Sequence, residues 1–120
     1  MIERERDNMK VFLSLPMQGK SSKEIAEIVA KMMKAATSIC NIRGENNGRI
    51  EFITNIYFTP DKEVQHMRPY CLGEAIKKMA DCTLVVFHPD YRQFDGCYIE
   101  YEICNRYYIN RYVLTEEELV

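Results

Sequence analysis

An uncharged run late in the chain, residues 83–87, constrains the fold more strongly than any other stretch of the sequence. Three of its five residues are β-branched, and polar residues and Pro89 flank it, which is typical of a strand covered on both faces. Such a strand belongs in a parallel sheet that has helices on both sides. Residues 88–90 are predicted to end the strand, and Gly96 is predicted to open the next helix.

The first half of the chain has the same alternation of strand and helix. Residues 10–15 form a short apolar run, which predicts a strand, and a turn-like segment follows it. Ser21 and Glu24 have the spacing of a capping box, in which each side chain satisfies a free backbone N–H at the start of a helix. Apolar residues then recur at three- and four-residue spacing, so this helix should pack one face on the sheet.

Two more strands complete the predicted sheet. Residues 49–58 and 111–115 have the composition of strands, and Pro69 suits the first turn of a helix between the second and third strands. With right-handed crossovers, the first and third strands become central. We therefore expect an α/β fold, a small Rossmann-like (flavodoxin-like) three-layer sandwich with a parallel sheet of about four strands, as one domain over residues 1–120. Residues 116–120 are interpreted as an acidic tail.

Composition excludes several classes of protein. The 16 basic and 18 acidic residues give a net charge of -2 without any basic cluster, so we expect no nucleic-acid partner. No apolar run reaches the roughly 18 residues that span a bilayer, and the N-terminus lacks the apolar core of a signal peptide. We expect a cytoplasmic protein that does not bind membranes.

The cysteines and histidines are too few and too scattered for a metal site. Five cysteines are an odd number without a CxxC pair, which indicates reduced thiols, and there are only two histidines. Cys97 lies where a helix start could activate a thiol, but we interpret it as a small apolar residue. We expect no metal and no cofactor.

Two loops should face each other across the carboxyl edge of the sheet, where open α/β sheets bind ligands. The first loop, residues 14–20, offers backbone N–H groups, Gly19 and a helix N-terminus, which together suit a phosphate or another anion, although a plain strand-to-helix turn is the simpler explanation. The second loop brings Asp90, Asp95 and Glu100. We expect Glu100 in the first turn of its helix, ionised at neutral pH and able to act as a nucleophile; the alternative is an ordinary helix-stabilising carboxylate.

These two segments resemble a known family. KVFLSLPMQG before a helix, with ADCTLVVFHPDYRQFDGCYIEYEI late in the chain, is similar to the nucleoside 2-deoxyribosyltransferase superfamily, and most closely to its small bacterial and phage members. The resemblance spans nearly the whole chain. It implies a glycosyl-enzyme mechanism in which Glu100, the last residue of a Gly-x-x-x-Glu motif that begins at Gly96, attacks the anomeric carbon of a deoxynucleoside or its monophosphate. It also implies substrate contacts from Ser14, Pro16, Met17 and Gly19.

Two positions depart from the family pattern. The resemblance implies a Tyr in the first strand, whose hydroxyl steadies the catalytic carboxylate, and this chain has Phe12. It also implies a sugar-binding Asp or a phosphate-binding Ser two residues before the motif Gly, where this chain has Phe94. Asp95 or Asp90 could substitute for that residue, and Ser14 could steady Glu100 in place of the Tyr. The alternative function is a binding module that keeps the fold and recognises a nucleotide-like ligand or a protein partner without chemistry.

Tyrosines are concentrated near the end of the chain. Five of the eight lie between residues 98 and 112: Tyr98, Tyr101, Tyr107, Tyr108 and Tyr112. Tyr is favoured where an apolar surface meets water, as at subunit interfaces, and the resemblance also implies dimers or larger assemblies. We expect a homodimer or larger homo-oligomer, with amphipathic surface aromatics as the alternative interpretation.

Overall fold

The computed structural model describes residues 8–42, 49–56 and 60–120. Within these ranges the chain forms four strands, three α-helices and two 3₁₀ turns. The strands are β1 (Asn8–Ser14), β2 (Arg49–Ile53), β3 (Leu84–Phe87) and β4 (Arg111–Val113). The helices are α1 (Ser22–Ile42), α2 (Met67–Met79) and α3 (Asp95–Tyr107).

The strands form one parallel sheet in the order β2-β1-β3-β4. Phe12 pairs with Ile53 on one side and with Val85 on the other, so β1 is central, as is β3. This confirms the predicted α/β fold, a small Rossmann-like sandwich whose two central strands are the first and the third. Among the helices that the structure describes, none combines the length and apolar character needed to cross a bilayer.

Alternating side chains of the central strands supply two separate cores. Val11 and Leu13 point to one face, where they pack with Met32 and other apolar residues of α1. Phe12 and Val85 point to the opposite face, where they pack with residues of α2 and α3. All four residues of β3 are buried, because both faces of this strand are covered by helices. The sheet therefore holds α1 on one side and the α2–α3 pair on the other.

The start of α1 is fixed by the predicted capping box. The Ser21 backbone N–H donates to Glu24 Oε1 at 2.8 Å, and the Glu24 N–H donates to Ser21 Oγ at 3.1 Å. The two side chains satisfy two backbone donors that no helical carbonyl can reach. The capping prediction is confirmed, and it fixes where the loop after β1 ends.

Strand β2 is shorter than the sequence predicted. It was expected over residues 49–58 but ends at Ile53, and residues 57–59 lie outside the described residues. The side chain of Asn55 bonds to α2 through the Cys71 carbonyl, which draws the chain away from the sheet edge. Before β2, Asn41 and Ile42 belong to α1, and residues 43–48 lie outside the described residues.

The C-terminal residues are packed, which corrects their interpretation as a tail. Residues Glu117–Leu119 form a 3₁₀ turn, and Leu119 packs against the core beneath α1. Glu118 accepts hydrogen bonds from the Tyr112 hydroxyl at 2.7 Å and from the Thr115 backbone N–H at 2.8 Å. The acidic side chain thus ties the segment after β4 to the sheet.

Candidate functional site

A cavity of about 240 Å³ lies at the carboxyl end of β1, between the N-terminal halves of α2 and α3. Here the chain switches from β2 on one side of β1 to β3 on the other, and such switch points are where open α/β sheets bind ligands. Most of the lining side chains are apolar. Three polar side chains join them: Asn55 from the segment after β2, Arg68 from α2 and Glu100 from α3.

Glu100 is held by a short hydrogen bond to the end of β1. It is the sixth residue of α3 and only 6% exposed, and the fully buried Ser14 donates from Oγ to Glu100 Oε1 at 2.5 Å. Ser14 is the last residue of β1, so the sheet itself fixes the position of this hydroxyl. The predicted contact between Ser14 and Glu100 is confirmed, whereas its catalytic role stays a prediction.

Glu100 ionises less readily than the sequence predicted. Burial raises the pKa of its carboxyl to about 7, although the hydrogen bond from Ser14 opposes this shift. Glu100 lies in the second turn of α3 rather than the first, where Asp95 is found, and the helix dipole acts mainly within one turn of the helix end. Near neutral pH the carboxyl is therefore divided between its neutral and ionised forms.

The second loop places its two aspartates away from the cavity wall. The side chain of Asp95 is 83% exposed and lies 3.7 Å from Arg68 Nη2, which also donates to Gln18 Oε1 at 3.1 Å. Asp90 is partly exposed, and its backbone N–H donates to Nδ1 of His88. Neither carboxylate lines the cavity, although Asp95 reaches its rim through Arg68. Sequence reasoning grouped Asp90 and Asp95 with Glu100, but the structure does not bring them together.

The first loop contributes less than the sequence suggested. Met17 lines the cavity, but Pro16 is buried beneath the loop and Gly19 is exposed, and neither of them lines the cavity. Gly19 has φ +79°, a conformation that favours glycine, in a turn closed by a hydrogen bond from the Lys20 N–H to the Met17 carbonyl. Glycine is thus explained here by the turn. Gly96, the motif glycine of α3, does line the cavity.

The buried thiol of Cys97 in the cavity is unreactive. Cys97 lines the cavity near Glu100, and burial raises the pKa of its thiol to about 12, so it stays protonated. All five cysteines are free thiols. Across residues 8–42, 49–56 and 60–120, no group of three His, Cys, Asp or Glu side chains is placed to hold a metal ion.

Sequence reasoning missed Asn55 and Arg68. Asn55 was hidden because the second strand was expected to continue through it; an end at Ile53 would have placed this amide at the carboxyl edge of the sheet. Arg68 precedes Pro69, the only residue of this region that the sequence placed at the start of a helix, whereas α2 begins at Met67 and Arg68 lines the cavity. Both residues could have been found from the correct end of β2 and the correct start of α2.

Comparison of the chain with models of protein families, with curated proteins and with solved structures gives no match. The relation to the nucleoside 2-deoxyribosyltransferase superfamily therefore rests on the motif around Gly96 and Glu100 and on the loop after β1. It stays a prediction, and the geometry of the cavity has to carry the functional argument.

Proposed function

We propose that the protein is a nucleoside 2-deoxyribosyltransferase-like enzyme, which cleaves or transfers at the N-glycosidic bond of a deoxynucleoside or deoxynucleotide through Glu100. One observation carries the proposal: a buried carboxylate, hydrogen-bonded to Ser14 at 2.5 Å, lines an apolar cavity at the switch point of a parallel sheet. Burying a carboxyl in apolar surroundings is unfavourable, and carboxyls with a strongly raised pKa that lie in a cleft are candidates for functional residues.

The proposed chemistry needs Glu100 in its ionised form. Ser14 engages Oε1, which leaves Oε2 to attack the anomeric carbon. The bond from that carbon to the base nitrogen breaks, its electron pair leaves with the base, and the base takes a proton from solvent. Water or a second base then attacks the same carbon and releases the carboxylate, which gives hydrolysis or transfer with retention.

The pKa of Glu100 suits such a cycle. A carboxyl with a pKa of about 7 is substantially ionised at neutral pH, and it is a stronger base than a carboxylate with an ordinary pKa. The Ser14 hydroxyl stabilises the ionised form, as a donor to the carboxylate must. Burial and the hydrogen bond from Ser14 together place the pKa close to neutral pH, so Glu100 can gain or lose its proton there.

The size of the cavity limits the ligand. At about 240 Å³ it is below the roughly 300–1,000 Å³ of most small-molecule pockets. It therefore suits a ligand smaller than most drug-sized molecules, such as a nucleoside or part of one. The rest of the ligand would lie at the rim beside Arg68 and Asp95.

A binding module without chemistry is the second candidate. Two observations favour it: the apolar ring of Phe12 lines the cavity where the resemblance implies a Tyr hydroxyl, and, among the described residues, Glu100 is the only carboxylate on the wall. Glycosidases that retain configuration commonly use two carboxyl groups about 5 Å apart. A site with one carboxylate must rely on solvent for the proton that the leaving base takes up.

Release of free base distinguishes these two functions. The protein is incubated with each deoxynucleoside and each deoxynucleoside monophosphate, with and without a second base, and the products are separated by chromatography. We expect base release by the wild type and none by Glu100→Gln, with Glu102→Gln, two positions further along α3, as the matched control. Release that persists at the wild-type rate in Glu100→Gln would place the nucleophile elsewhere. Ligand-dependent stabilisation without base release would favour the binding module.

We further propose that the protein works in the cytoplasm as a homodimer or larger homo-oligomer. Exposed aromatic side chains near the end of α3 support self-association: Tyr107 is 73% exposed and Tyr108 91% exposed. Tyr98 and Ile99 add apolar surface to the same helix. Such residues are enriched at subunit interfaces.

A further inference from the structure

The amide of Asn55 is fixed in one orientation at the edge of the cavity. Its Nδ2 donates to the Cys71 carbonyl at 3.0 Å, and its Oδ1 accepts from Lys78 Nζ at 2.8 Å. A carbonyl can only accept and an ammonium can only donate, so these two partners determine which amide atom is nitrogen and which is oxygen. Both partners belong to α2, which therefore holds the half-buried amide against the cavity.

These two bonds leave half of the amide's hydrogen-bonding capacity unused. An amide side chain has two N–H donors and two acceptor lone pairs on its oxygen. One donor and one lone pair are engaged, and within the described residues no further protein partner takes the other two. A half-buried amide with one remaining donor and one remaining acceptor is suited to a ligand group that offers both.

The position of Asn55 separates it from the reacting atoms. β2 and β3 flank β1 on opposite sides, so Asn55, which follows β2, and Glu100, on the helix after β3, reach the cavity from opposite sides of β1. A ligand whose anomeric carbon lies at Glu100 extends toward Asn55 with a more remote part. Contacts to remote parts of a substrate decide which substrate is accepted.

We propose that Asn55 determines substrate specificity by binding a neutral polar group that both donates and accepts hydrogen bonds, either the edge of the base or a sugar hydroxyl; this rests on the proposed function. Lys78 is a positioning residue. Its ammonium donates to the amide oxygen, and Asn55 rather than Lys78 lines the cavity. A ligand at this place therefore contacts a neutral, oriented amide. An ionised anionic group offers no hydrogen-bond donor for the remaining lone pair of the amide oxygen, so a neutral group that both donates and accepts uses this amide more completely.

Steady-state kinetics test the proposal with a panel of nucleosides that differ in base or in sugar hydroxyls. Asn55→Ala should raise KM for the preferred substrate about 10-fold, the effect of losing one or two hydrogen bonds, and should reduce discrimination across the panel. Lys78→Met keeps the alkyl chain and removes the ammonium, so it should raise KM by a smaller factor and leave kcat unchanged. Asn110→Ala, an exposed asparagine at the other end of the sheet, is the control.

The panel also identifies the group that is bound. Loss of discrimination among bases assigns Asn55 to the base edge, and loss of discrimination among sugars assigns it to a hydroxyl. Binding of the same nucleosides to Glu100→Gln is measured by the change in melting temperature. This variant separates recognition from chemistry, because it should bind nucleosides without cleaving them. If Asn55→Ala keeps the wild-type ranking of substrates in both assays, the specificity role is overturned while the proposed function stands. If the wild type binds and discriminates nucleosides without releasing base, the proposed chemistry fails, and the specificity role of Asn55 is tested by the binding ranking alone. A wild type that neither binds nor cleaves any nucleoside overturns both the proposed function and the role of Asn55.

Discussion

Replacing Glu100 by Gln should stabilise the protein above neutral pH. The carboxyl is 6% exposed, and burial raises its pKa from 4.5 to about 7. Between these two pH values the folded protein holds a proton on Glu100 that the unfolded chain releases. The free energy of unfolding therefore falls as pH rises through this range, because the folded state binds more protons than the unfolded state.

The magnitude follows from the two pKa values. At 1.36 kcal/mol per pH unit, the difference between 4.5 and about 7 corresponds to about 3 kcal/mol of stability lost between acidic pH and pH 8. Gln resembles the neutral carboxyl in shape, and its Oε1 can still accept from Ser14. Glu100→Gln should thus match the wild type at pH 4, below both pKa values, and exceed it by up to about 3 kcal/mol at pH 8.

Urea denaturation at pH 4, 5, 6, 7 and 8 measures this difference directly. Burial lowers the pKa of His88, which makes stability rise with pH in the same region, but this contribution is common to both proteins and cancels in the comparison. Glu102→Gln serves as the control and should follow the wild type. Parallel pH profiles for the wild type and Glu100→Gln would refute the reasoning, as would a variant less stable than the wild type at pH 8.

Three further predictions concern other parts of the molecule. Ser14→Ala removes the hydrogen bond that lowers the pKa of Glu100, so the acidic limb of the pH profile for base release should move upward by about one pH unit; an unmoved limb would contradict this role. Tyr107→Ser combined with Tyr108→Ser should reduce self-association in light scattering, and a wild type that is already monomeric at tens of micromolar would rule out the interface. Ser21→Ala should lower the free energy of unfolding by about 1 kcal/mol through loss of the helix cap, as measured by urea denaturation; an unchanged midpoint would contradict it.

Sequence alone predicted the topology because the signals that set it are local and redundant. The uncharged run that contains Leu84–Phe87, the capping box at Ser21 and the alternation of strands with helices each point to the same parallel sheet. With right-handed crossovers the first and third strands were predicted to be central, and they are central in the observed order β2-β1-β3-β4. Strand ends were less accurate, because the end of β2 depends on the bonds of Asn55 to α2, which no local pattern records.

The site was only partly predictable for a related reason. The contact of Ser14 with Glu100 follows from two loops that leave neighbouring strands, and it could be anticipated. The burial of Glu100 could not be predicted, because it depends on how α2 and α3 pack over β1. This burial decides the pKa of the carboxyl. Asp95 was grouped with Glu100 by its place in the chain, yet on α3 it is turned toward Arg68 at the rim.

The link between Ser14 and Glu100 also has a consequence for the order of events in folding. The two residues lie 86 positions apart, and the strand pairing that aligns them, β1 with β3, is itself non-local. Long-range parallel pairing is slow to form, because the chain must close a large loop before the contact stabilises it. The hydrogen-bonded pair of Ser14 and Glu100 therefore forms only when both β1 and α3 have joined the fold. No fragment that lacks β1 or α3 contains the site. During refolding, the proposed release of base should not return before β1 has paired with β3.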